Sequence, residues 1–132
     1  MPDAETPEQW RAISDRDLRM AHLALDGGEY WGVFYFCQQA IEKRLKMVFV
    51  VQDRGPHPRI HNLVALAELV GYKMGDGVRR ELLDLTRRYV EDRYPVEGGA
   101  EGVPEGAEDA QRCLELTKII CRDLDDMASR RN

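Results

Sequence analysis

Apolar residues recur along this chain at helical spacing, in blocks set apart by turn-forming residues. The most informative block lies between residues 30 and 51. Tyr30, Phe34, Cys37, Ile41, Leu45 and Val48 step by three or four residues and share one helical face. That face is narrow, as in a bundle seam. Gln39, Glu42, Lys43 and Lys46 fall on or near the opposite side. The pattern predicts a helix from Tyr30 to Val51. Gln52 to Ile60 is then a loop, where Pro56 and Pro58 block continuation.

Four more helices follow from the same reasoning. Thr6 suits an N-cap and Pro7 the first helical position, so one helix runs to Asp26 and ends at Asp26-Gly27-Gly28. Trp10, Ile13, Asp17, Met20, Ala21 and Leu25 trace its inner side. A short helix from Asn62 to Val70 carries Leu63, Leu66, Ala67 and Val70, and Gly71 ends it. The next spans Gly77 to Tyr94, with Val78, Leu82, Leu85 and Tyr89 as seam, Leu83 and Val90 beside it, and Pro95 as the stop. Residues 96–105 are rich in glycine and proline, which predicts a mobile loop. The last helix runs from Pro104 to Ala128, with Ala110, Cys113, Thr117, Ile120, Leu124 and Met127 inward and a frayed Arg130-Arg131-Asn132 end. No segment alternates as a strand does. The expected fold is all-α, an up-and-down bundle of four long helices plus one short helix, in a single domain over residues 1–132.

Charge and cysteine usage narrow the function classes. A net charge of −5 argues against broad electrostatic binding to nucleic acid, while leaving room for a local basic patch. No apolar run approaches the roughly 20 residues that span a membrane. The start, Met1-Pro2-Asp3-Ala4-Glu5, lacks the pattern of a signal peptide. Cys113 and Cys121 stand roughly 12 Å apart along a helix, too far for a disulfide. The three cysteines therefore read as small buried apolar side chains in a reducing cytoplasm. Scattered histidines without matching carboxylates make no metal site, and no cofactor is expected; a glycine-rich phosphate loop is absent.

Three pieces in order carry a resemblance. They are Gln38-Gln39-Ala40-x-Glu42-Lys43, then Pro58-x-x-His61-Asn62-Leu63, then Tyr89-x-x-x-Arg93-Tyr94-Pro95. Together they resemble the HEPN family of small helical domains. The resemblance implies the same bundle, a homodimer, and a non-catalytic partner or regulatory role beside a separately encoded minimal nucleotidyltransferase. Two further roles known in the family are binding of a nucleotide or RNA and toxin-type RNA cleavage. The family's ribonucleases place an arginine four to six residues before a histidine late in the domain. Here the histidines are His22, His57 and His61, so Arg79, Arg80, Arg87, Arg88 and Arg93 have none downstream. Arg54 and His61 meet the bare spacing, but in the loop after the second helix. The nucleotidyltransferase signature Gly-Ser-x-x-x-x-x-Asp-x-Asp is absent.

The candidate site joins these pieces: Gln38, Gln39, Glu42, Lys43, Lys46, His61, Tyr89, Arg93 and Tyr94. Two readings stand side by side. In one, Arg93 bridges Glu42 in a structural network. In the other, amides and cations wait for phosphate or base. His61, just before the short helix, suits a capping role. His57 is expected to be exposed and His22 to sit at the surface boundary. On the fourth helix, Arg80–Asp84, Asp84–Arg88, Arg87–Glu91 and Arg88–Asp92 form a solvated ladder, or else a basic surface for phosphate. Trp31, Tyr35, Phe36 and Phe49 add apolar area beyond one seam, which suits a deep core or an interface.

Overall fold

The computed structural model describes residues 6–93 and 106–130, and of residues 90–93 the backbone alone. Among the described residues five helices follow in order: α1 (Pro7–Asp26), α2 (Tyr30–Val51), α3 (Leu63–Val70), α4 (Asp76–Arg93) and α5 (Ala107–Ser129). No strand occurs among the described residues. The predicted loop at 96–105 and the predicted start at Pro104 lie outside them.

Local chemistry explains the helix ends. Thr6 closes a capping box on α1: its hydroxyl accepts from the Gln9 N–H at 3.1 Å, and the Gln9 side chain accepts from the Thr6 N–H at 3.0 Å. After α1 the chain reverses within three residues, and the Glu29 N–H donates to the Ala24 carbonyl at 2.8 Å. A Cβ on Gly32 would lie 3.3 Å from the Ala24 Cβ, so the missing side chain lets α1 and α2 close on each other there. Asn62, not His61, caps α3, its Oδ1 accepting from the Ala65 N–H at 3.1 Å. Gly71 ends α3 at φ 80°, and the Tyr72 N–H returns to the Ala67 carbonyl at 2.9 Å.

The helix α2 is the central one. It packs against α1, α3, α4 and α5. Its apolar face is buried from Phe34 to Val48 and half-buried at Tyr30, and Gln38, Glu42, Arg44 and Lys46 are buried as well. Glu42 and Lys46, on the side opposite the apolar face, are thus as enclosed as the seam itself. A helix surrounded by neighbours buries its polar positions too, and each must then find a partner. Phe49 is core rather than spare surface, and Tyr35 and Phe36 are half-buried.

The other seams mostly follow the pattern. On α1, Trp10, Asp17 and Ala21 are buried, whereas Met20 is exposed. On α4, Leu82, Leu85 and Tyr89 are buried and Leu83 is exposed. On α5, Ala110, Cys113, Thr117, Ile120 and Leu124 are buried and Met127 is half-buried. All three cysteines are free and buried. The neighbouring Cys37 thiol and burial push the Cys113 thiol up, and burial pushes Cys121 up to about 12 despite Arg44 nearby. Both are inert at neutral pH.

Candidate functional site

One polar seam crosses α2 where it meets α1 and the start of α3. Gln38, Glu42 and Lys46 stand one turn apart, so their side chains line up along the helix. Glu42 lies at the centre, its side chain 3% exposed. Its Oε2 accepts from the Lys46 ammonium at 3.1 Å, and its Oε1 accepts from Gln38 Nε2 at 3.2 Å. His61 Nδ1 reaches the same Oε1 at 2.9 Å. Gln38 also donates to the His61 carbonyl at 3.3 Å, which anchors the loop before α3 to α2.

The seam continues sideways toward α1. Gln39 donates to Gln38 Oε1 at 2.6 Å and accepts from Lys43 Nζ at 3.0 Å. Lys43 in turn donates to the buried Asp17 at 2.9 Å. Lys46 Nζ also stands 5.7 Å from the centre of the Trp10 ring, and His57 meets that ring edge-on at 4.8 Å. That contact makes His57 half-buried, against the expectation of exposure.

Electrostatics fix the charge state of Glu42. Burial alone would raise the Glu42 pKa, but Lys46 and the His61 hydrogen bond outweigh it and hold the carboxyl below its ordinary 4.5. Glu42 is therefore ionised at neutral pH and only accepts hydrogen bonds. His61 Nδ1 thus donates to this carboxylate. The His61 side chain is 56% exposed. Its ring lies 5.6 Å from that of Tyr89, which stacks on Tyr35 at 6.0 Å; Trp31 stands 6.3 Å further along.

The structure thus brings together Gln38, Gln39, Glu42, Lys43, Lys46, His61 and Tyr89. The Arg93 side chain and Tyr94 lie outside the described residues, and the Arg93–Glu42 bridge lies outside them too. Arg54 does not join His61. It donates to the Leu69 carbonyl and covers the Phe49 ring at 5.5 Å.

A second buried knot gave no signal in the sequence. Arg44, its side chain buried, grips Asp125 of α5 through Nε at 2.9 Å and Nη2 at 3.0 Å. Its Nη1 donates to Asp15 at 2.6 Å and to Ser14 Oγ at 2.9 Å, and that hydroxyl donates to the Ala40 carbonyl at 2.7 Å. Burial would lower the Arg44 pKa, but the Asp125 and Asp15 hydrogen bonds outweigh it and raise it further. On α4, Arg88 pairs with Asp84 at 2.8 Å as the ladder predicts. It also lies 4.2 Å over the Phe34 ring, so it is no simple solvated charge. Arg87 takes the same Asp84 at 2.7 Å, and Arg79 reaches Glu68 of α3 at 2.9 Å. The side chains of Glu91 and Asp92 lie outside the described residues. Among those described, no group of three or more His, Cys, Asp or Glu side chains has the disposition of a metal site.

These features define a small all-α domain whose central helix is held by polar side chains as well as apolar ones. A family model described as "HEPN domain" matches residues 7–127, and the chain belongs to the HEPN domain family. Its fold is similar to a crystal structure of ST0689, an archaeal HEPN homologue, with a TM-score of 0.76, 24% identity, and coverage of 95% of this chain and 99% of that one. It is also similar to TT1696 from Thermus thermophilus, with a TM-score of 0.74, 20% identity, and coverage of 94% and 99%. At these identities the likeness is one of fold. No curated protein matches the chain.

Proposed function

We propose that this HEPN domain works without turnover, as a dimeric partner or regulatory module for a separately encoded minimal nucleotidyltransferase. One observation carries the reading: the polar side chains of the seam are engaged with one another. Glu42 is shared by Lys46, His61 and Gln38, and Lys43 by Asp17 and Gln39. Groups so engaged hold helices together; a ligand would have to displace partners that are already desolvated. The missing histidine after the α4 arginines supports the same reading.

A second reading, nucleotide or RNA binding without turnover, draws on the Trp31–Tyr35–Tyr89–His61 run of rings, which offers stacking surface. Ribonuclease action through Arg54 and His61 has the least support, because Arg54 is committed to Leu69 and Phe49.

Light scattering of the protein, alone and mixed with a minimal nucleotidyltransferase from the same genome, tests the first reading. A defined complex is the expected result. Incubation with mixed RNA in chelator is expected to leave the RNA intact. Robust cleavage, lost in Arg54→Ala and His61→Ala, would overturn the reading.

A further inference from the structure

The turn after α3 and the last turns of α5 flank a cavity of about 440 Å³. That size falls within the roughly 300–1,000 Å³ of small-molecule sites. Gly71, Tyr72 and Lys73 line it from the turn, and Asp123, Met127 and Arg130 from α5. The last three are spaced by four and then three residues, so they share one helical face. Gly71, at φ 80°, turns the chain so that the Tyr72 ring is buried. A Cβ on Gly71 would meet nothing within 4 Å, so the backbone there stands open to the cavity.

The charges around this cavity are not paired with one another. The Tyr72 hydroxyl donates to Asp123 Oδ2 at 2.9 Å. Burial and that carboxylate push the Tyr72 pKa up, so the hydroxyl remains a donor at neutral pH. Oδ1 of Asp123, the Lys73 ammonium and the Arg130 guanidinium have no hydrogen-bond or ion-pair partner among the described residues. One carboxylate and two cations therefore line one space, and all three residues are exposed to solvent. We infer that this cavity binds a small zwitterion of the amino-acid class, with its carboxylate on Lys73 and Arg130, its ammonium on Asp123, and its apolar side chain along Met127 and the Tyr72 ring.

Each part of that ligand answers a feature of the cavity. A carboxylate gains charge-assisted hydrogen bonds from the two cations. A dianion such as phosphate would meet Asp123 and the carbonyl ends of α3 and α5, which favour positive charge. The same groups favour an ammonium. Met127 is half-buried and Tyr72 buried, and both supply apolar wall. Binding here is independent of the partner role proposed above, since the cavity shares no residue with the α2 seam.

The test is an amide NMR titration of the full chain with L-leucine at neutral pH. Isocaproate, which lacks the ammonium, isoamylamine, which lacks the carboxylate, and inorganic phosphate are titrated in parallel. Leucine is expected to give saturable shifts at Gly71, Lys73, Met127 and Arg130. Each half-ligand should bind about tenfold more weakly or worse, the effect of losing a hydrogen bond between charged groups. Asp123→Asn still accepts from Tyr72 but should erase the advantage of leucine over isocaproate. Lys73→Gln with Arg130→Gln should erase its advantage over isoamylamine. These side chains are exposed, so the variants should fold as the wild type does. An absence of saturable shifts with leucine overturns the proposal, as does leucine binding no tighter than either half. Phosphate that shifts the same amides at lower concentration than leucine shows a plain anion site and overturns it too.

Discussion

Glu42 shows what a single buried charge demands. Its partners differ in worth: the Lys46 ammonium is nearly as buried as the carboxylate, whereas the His61 ring is half in water. Breaking a buried pair from one side costs about 3–5 kcal/mol, whereas an exposed pair is worth about 1 or less. Glu42→Gln and Lys46→Met should each destabilise strongly, and the double mutant should cost much less than their sum. Thermal melts of the four proteins measure this, and additive effects would exclude the coupling. The pH dependence has a definite sign. The folded pKa of Glu42 lies below its ordinary 4.5, so the unfolded chain binds the proton first. Its contribution is complete above that value and is lost as pH falls through the lower folded pKa. The Tm gap between wild type and Glu42→Gln should therefore be steady near neutral pH and shrink in acid.

At the scale of elements, sequence and structure agree where the cause is local. Thr6 with Pro7, the Asp26-Gly27-Gly28 turn, Pro56, Pro58 and Gly71 mark helix ends within a few residues, and the ends fall beside them. Gly71 sits in the left-handed region, so Gly71→Ala should cost about 1 kcal/mol, read as a lower denaturation midpoint. What covers the polar side of α2 is not local. The i, i+4 row of Gln38, Glu42 and Lys46 was visible, yet nothing in its spacing says that α1 and α3 close over it. The pairing of Glu42 with His61 was hidden for the same reason. The Arg44 knot left no trace at all, because Ser14, Asp15 and Asp125 come to it from α1 and α5. It ties three helices, and its fork geometry matters as much as its charge. Arg44→Lys keeps the charge but not the two parallel bonds to Asp125, and should still cost about 2 kcal/mol in chemical unfolding. A variant as stable as wild type would show that the knot adds charge alone.

For the whole molecule, the proposed dimer needs a surface that could meet a second copy. Among the described residues no helix is long and apolar enough to cross a membrane. Trp31 is 56% exposed at the start of α2, beside half-buried Tyr35 and Phe36. A large aromatic side chain left in water next to others is an anchor of the type that dominates interfaces. The proposed dimer places this face at its contact. Light scattering at micromolar concentration should then give twice the chain mass. Trp31→Ser should shift the population toward monomer. Because Trp31 contributes little to the core, the variant should keep its helical circular dichroism and lose little in melting temperature. A monomer across the accessible concentrations would remove the dimer from the proposed function. A wild-type dimer that survives Trp31→Ser unchanged would move the contact elsewhere, and would free the aromatic face for the stacking role that the second reading assigns to it.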